Sequence, residues 1–309
     1  MIEVVSVNGA VAPAPEARIS PLDRGFLYGD SVYETVRTYG GRPFLLERHL
    51  DRLRRSAESL GIDAARAPID PGRAVRDALE QAGVREAPHR DGAGEGEAAI
   101  RIILSRGTGG IGYDDADCGA PTLVIHVRPC PLIPESWRRE GVDVAIVTVR
   151  RNAAEALDPA IKSSNLLNNL LAWRAARRLG AYEPILLDGA GSIAEGASSN
   201  VFLAQDGRLM TPALEVGLLQ GITRDAVLAL ARADGLAVEE TVLSAERLQR
   251  ADEAFLTSTL KGVLPIRRVD GWPLNDGRPG PLTRRVAALY DALTQDETKI
   301  GSTPSAMRR

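Results

Sequence analysis

The stretch Leu157-Asp158-Pro159-Ala160-Ile161-Lys162-Ser163-Ser164-Asn165-Leu166-Leu167 puts one of the chain's three lysines just ahead of a helical pattern that ends at Gly180. The pattern predicts a helix over residues 164–179, with Ser163 or Ser164 as its N-cap. A helix start disfavours a protonated amine, and the unprotonated amine is the form that attacks a carbonyl. Of 38 basic residues only Lys162, Lys261 and Lys299 are lysine, and arginine cannot form an imine at neutral pH. Lys261 follows Thr257-Ser258-Thr259-Leu260 and could serve the same end, whereas Lys299 sits in a polar tail. Position alone favours an ordinary surface lysine at 162.

Outward from that point, the 309 residues are 44% hydrophobic with a net charge of -3. They contain no apolar run near the ~20 residues of a membrane span. Residues 1–8 alternate like a strand rather than a signal peptide, and Cys118 and Cys130 are the only cysteines. A soluble, cytoplasmic, small-molecule protein is expected, without disulfides and without nucleic-acid or membrane partners. His49, His89 and His126 show no metal-ligand spacing, so no metal is expected.

The chain divides on paper into an α+β domain over 1–129, a proline-rich linker over 130–136, a second domain over 137–294 and a flexible tail over 295–309. Asn8-Gly9 predicts a hairpin turn. Leu46, Leu50, Leu53, Ala57 and Leu60 predict a helix closed by Gly61, with Arg48, Arg52 and Arg55 along or beside its polar face. Residues 91–97 read as a flexible surface loop, and 223–233 as a helix opened by Gly221-Ile222.

Three ordered motifs change the weight on Lys162. Ile161 to Leu167, then Ile193-Ala194-Glu195-Gly196-Ala197-Ser198-Ser199-Asn200-Val201-Phe202, then Gly221-Ile222-Thr223-Arg224 resemble the class IV aminotransferases, the fold type IV pyridoxal phosphate enzymes. The resemblance runs from about Asn8 to Leu293. It implies a two-domain α+β fold with a small N-terminal α/β domain and a larger C-terminal pseudo-barrel, and pyridoxal 5′-phosphate as cofactor. It also implies Lys162 as the Schiff-base lysine and Glu195 as the carboxylate beside the pyridine nitrogen. Ile222, Thr223, Thr259 and Arg52 are then the phosphate ligands, although read alone Arg52 is a solvated helix charge and Glu195-Gly196 a hairpin turn.

Tyr33, Arg37 and Arg101 match substrate-pocket positions, with an amino donor and a 2-oxo acid such as 2-oxoglutarate as substrates. The resemblance further implies a homodimer in which the loop around Gly107 to Tyr113 reaches the partner's site. Ala99 and Leu167 replace tyrosines common in branched-chain enzymes, the Ser105 to Tyr113 loop lacks the histidine of the D-amino-acid enzymes, and Ile111 replaces a basic residue of aminodeoxychorismate lyase. Apolar, branched-chain L-amino acids are the first expectation. D-amino-acid or (R)-amine transamination, lyase chemistry, and a non-catalytic cofactor-binding role are the alternatives.

Overall fold

A computed structural model of the protein describes residues 1–86 and 96–295. The chain forms two units, one of Met1–Leu132 with Ile161–Asn165, the other of Ile133–Ala160 with the residues from Leu166 on. The Lys162 segment thus joins the first unit, through contacts rather than chain order. Among the described residues no helix is long and apolar enough to cross a membrane.

The first unit begins with β1 (Val4–Val7) and β2 (Ala10–Pro13), joined by Asn8 and Gly9 with φ of 53° and 91°. A two-residue hairpin turn needs this left-handed backbone, and Asn-Gly adopts it at little cost. Helix α1 (Arg24–Tyr28), β3 (Ser31–Tyr39), β4 (Arg42–Pro43), α2 (Leu46–Ser59), α3 (Pro71–Gln81), β5 (Ala98–Ser105) and β6 (Thr122–Pro129) follow. The sheet runs β2-β1-β6-β5-β3-β4. Val32 and Val36, with Ile100, Ile102 and Leu104, turn one face toward Leu50, Leu53 and Ala57 of α2 and Ala74, Val75 and Ala78 of α3, forming the core.

The second unit holds α4 (Glu135–Glu140), β7 (Val142–Arg150), α5 (Ala154–Leu157), α6 (Leu167–Arg178), β8 (Glu183–Leu187), β9 (Ile193–Gly196), β10 (Asn200–Gln205) and β11 (Arg208–Pro212). It continues with α7 (Ile222–Ala233), β12 (Ala237–Thr241), α8 (Ala245–Gln249), β13 (Glu253–Ser258), β14 (Gly262–Val269), β15 (Trp272–Pro273) and α9 (Pro281–Gln295). Its sheet runs β12-β11-β10-β13-β14-β7-β8-β9, with β15 beside β14. A short turn joins β9 to β10 although four strands separate them in that order. The sheet must therefore curl back on itself into a partial barrel, filled by residues such as Ile185, Val201, Leu203, Leu256 and Leu264.

Several expectations shift. Helix α6 starts at Leu167, not Ser164, and has no side-chain cap at Leu166. Residues 91–95 of the expected loop and 296–309 of the expected tail lie outside the described residues. Glu97 is buried, not loop-like, and accepts hydrogen bonds from Thr38 Oγ1 and the Gly40 amide. Gln295 completes α9 rather than opening the tail.

Candidate functional site

In the first unit the geometry starts from the two faces of β3. Even-numbered residues point to the core, and there Glu34 is fully buried. Its Oε1 accepts from Arg52 Nε at 2.6 Å, and its Oε2 from Arg52 Nη2 at 2.9 Å and His49 Nδ1 at 2.7 Å. Burial alone would raise this carboxyl, but the Arg52 guanidinium and the His49 contact hold it well below the usual carboxylate range. Burial keeps His49 below its ordinary value, so a neutral ring donating from Nδ1 fits the carboxylate. Arg52 is thus buried at 7% exposure and fixed as a two-point fork. It does not lie on the polar face of α2 as expected, because a buried carboxylate faces it.

Odd-numbered residues of β3 carry Tyr33, Thr35 and Arg37, and the register sets Arg101 of β5 opposite Thr35 and Ala99 opposite Arg37. The Arg101 guanidinium lies 3.4 Å from the Tyr33 ring centre, and Arg37 lies 4.7 Å from the Tyr39 ring. Burial lowers the Arg101 guanidinium from its ordinary value, while Tyr33 works against that. Both arginines stack on aromatic faces.

Lys162 reaches the same place by backbone pairing. The Tyr33 amide donates to the Lys162 carbonyl at 2.9 Å, the Ser164 amide donates to the Ser31 carbonyl at 2.9 Å, and the Lys162 amide donates to Ser56 Oγ at 3.2 Å. Lys162 therefore sits in an extended segment along β3 and not at a helix N-terminus. Its Nζ lies 4.5 Å from the Tyr33 ring centre.

In the second unit Glu195 ends a chain of polar contacts. Arg151 Nε donates to its Oε1 at 2.7 Å, and the Leu219 amide and Asn200 Nδ2 donate to its Oε2 at 3.2 and 3.4 Å. Asn200 also donates to the Leu219 carbonyl at 3.0 Å, tying β10 to the loop that enters α7. Gly221, the N-cap of α7, passes so close that a Cβ there would lie 1.9 Å from Asn200 Oδ1. No side chain caps this helix, so its first-turn amides at Ile222 and Thr223 make an anion cradle. Across the β10–β13 ladder Thr257 pairs with Asn200. Its hydroxyl is buried with no hydrogen-bond partner among the described residues, as is that of Ser258.

Tyr33, Arg37, Arg52, Arg101 and Lys162 therefore gather in the first unit, and Glu195, Ile222, Thr223 and Thr259 belong to the second. Lys261, the rival lysine, is engaged elsewhere: its Nζ donates to Ser198 Oγ at 2.9 Å and to Glu183 Oε2 at 3.2 Å. Sequence reasoning missed Arg151, Glu34 and Asn200, and within Thr257–Thr259 it chose Thr259, whereas the orphaned hydroxyls are those of Thr257 and Ser258. Only the odd occurrence of an acid inside the apolar run of β3 hinted at Glu34.

An uncapped helix start, an orphaned buried hydroxyl and a carboxylate held by an arginine fit a phosphorylated, nitrogen-protonated ring. The protein belongs to the class IV amino-transferases, whose family model matches residues 31–269, and it is a transaminase with the fold of that family. It is 37% identical over 287 residues, 93% of this chain and 94% of the other, to a Methanocaldococcus jannaschii protein provisionally named a branched-chain-amino-acid aminotransferase. It is 31% identical to the D-alanine aminotransferase of Bacillus licheniformis, covering 96% of this chain and 99% of that one. Among solved structures, the T.th. branched-chain amino acid aminotransferase complexed with N-(5'-phosphopyridoxyl)-L-glutamate superposes with a TM-score of 0.85 at 27% identity, covering 98% of this chain and 96% of that one.

Proposed function

We propose that this transaminase binds pyridoxal 5′-phosphate through Lys162 and moves the amino group of an apolar L-amino acid, branched-chain first, to a 2-oxo acid such as 2-oxoglutarate. The observation that carries the reading is the Lys162 amine, held beside Tyr33 by main-chain pairing with β3 and by its backbone amide donating to Ser56 Oγ of α2. The names of the branched-chain relatives support the branched-chain donor class. The phosphopyridoxyl-glutamate of the T.th. complex supports both the cofactor and glutamate/2-oxoglutarate as one amino-group pair.

When bound, the cofactor supplies an electrophilic carbon and an electron-withdrawing ring. Lys162 Nζ is the group that anchors it and that, once released, takes and returns the substrate's α-proton as base and then acid. Glu195 keeps a proton on the pyridine nitrogen, since a neighbouring negative charge favours the charged form, and Arg151 and Asn200 fix its direction. The Ile222 and Thr223 amides, the Thr223 and Thr259 hydroxyls and Arg52 hold the phosphate. Glu34 orients Arg52 for that task. Tyr33, Arg37 and Arg101 receive substrate carboxylate, the arginines by fixed charge and the phenol as donor.

A cytoplasmic homodimer belongs to the same reading. Ile111 and Tyr113, in the loop expected to reach the partner, are 85% and 92% exposed, as suits an uncovered contact surface. The test is the first half reaction with L-leucine, D-alanine and (R)-1-phenylethylamine in separate cuvettes, following conversion of the pyridoxal to the pyridoxamine form of the cofactor. L-leucine is expected to react fastest. Much faster reaction of either of the others would sink the branched-chain reading and leave transamination standing.

A further inference from the structure

Buried Glu183 lies outside the roles assigned so far. Its Oε1 accepts from the Ser198 amide at 2.8 Å, Ser199 Oγ at 2.8 Å and Ser198 Oγ at 3.2 Å, and its Oε2 accepts from Lys261 Nζ at 3.2 Å. Lys261 Nζ also donates to Ser198 Oγ at 2.9 Å, and the lysine side chain is only 12% exposed. The serines form the turn between Glu195 and Asn200, while Lys261 follows Thr259 in the turn between β13 and β14. The turn is tightly packed, since a Cβ on Gly196 would lie 2.4 Å from Ser199 Oγ and 2.9 Å from Glu183 Oε1. Asn169 Nδ2 secures its other side by donating to the Ala197 carbonyl at 2.8 Å.

We infer that Lys261, seated on Glu183, is a positioning residue that ties the turn bearing Glu195 to the turn bearing Thr259. Ring and phosphate ligands are thereby fixed at one spacing before the cofactor arrives. The inference rests on the cofactor reading above. A largely covered ammonium suits this work because it can satisfy a carboxylate and a hydroxyl from two segments at once, and because moving either turn would strand the buried Glu183 carboxylate.

The test measures pyridoxal phosphate affinity of the stripped protein beside its melting temperature. Lys261→Met keeps the stem and removes the charge. It should raise the cofactor's dissociation constant about tenfold or more, the scale of one charge-assisted hydrogen bond. Removing both charges in Lys261→Met/Glu183→Gln should restore the melting temperature to within ~2 °C of the parent, as deletion of a whole buried pair often does, while the weakened affinity persists. Ser198→Ala, which spares the Lys261–Glu183 pair, should weaken binding by about threefold even if the lysine variant does not fold. Unchanged affinity in a folded Lys261→Met or in Ser198→Ala, or full recovery of affinity in the double variant, overturns the inference. A parent protein that binds no pyridoxal phosphate overturns the cofactor reading itself.

Discussion

Replacing Glu34 by glutamine keeps the shape of the side chain and removes the charge that two buried partners share. Arg52 loses its two-point acceptor and stays buried, and His49 loses a charged acceptor. Breaking a buried ion pair by removing one partner costs about 3–5 kcal/mol, because the other charge is left uncompensated. With no cavity created, ~3 kcal/mol is the working figure, a factor of about 10² in the opening equilibrium at 1.4 kcal/mol per tenfold. All three tryptophans, Trp137, Trp173 and Trp272, lie in the second unit, so tryptophan fluorescence would not report this loss. Amide hydrogen exchange does: protection across β3 and β5 should fall about 10²-fold at pH 7 while β13 stays protected. The sign with pH follows from the lowered folded-state value of Glu34. Its contribution is present above the unfolded value of ~4.3 and is lost as pH falls below it. The gap between parent and variant should therefore narrow as the medium is taken from pH 5 toward pH 3. A fall in protection under about threefold, or an equal fall in both units, refutes the reasoning.

Glu195→Gln should lower turnover by ~10²-fold or more if the lost charge is worth about 3 kcal/mol, with folding retained; steady-state rates check it, and unchanged turnover would put another carboxylate beside the ring. Arg101→Met keeps a stem to pack on Tyr33 but removes the charge, so KM for 2-oxoglutarate should rise about tenfold or more. The same KM in parent and variant would remove Arg101 from carboxylate binding.

The fold was legible wherever the signal was local. Asn8-Gly9 specified a left-handed turn, the four-and-three spacing from Leu46 specified α2, and Gly221-Ile222-Thr223 specified the uncapped start of α7. What escaped depended on register between distant segments. Arg52 looked like a surface charge until β3 set Glu34 beneath α2, and Arg151, just past the end of β7, meets Glu195 of β9 across the intervening β8. Ser163-Ser164-Asn165 reads locally as a helix cap, yet these residue types also suit extended chain. Only pairing with Ser31 and Tyr33 decides for the second, and that pairing, rather than a helix dipole, brings Lys162 to Tyr33. Glu97 escaped for a similar reason, since the backbone that it caps lies 57 residues earlier, at Gly40.

Lys162 as the anchor of the cofactor is the central claim, and borohydride reduction of the holoenzyme followed by peptide mass mapping tests it most directly. Reduction makes the cofactor's bond to its lysine permanent, so the phosphopyridoxyl mass should fall on the peptide containing Lys162 and on no other. The same mass on the Lys261 peptide, or no labelled peptide from protein saturated with pyridoxal phosphate, would contradict the account.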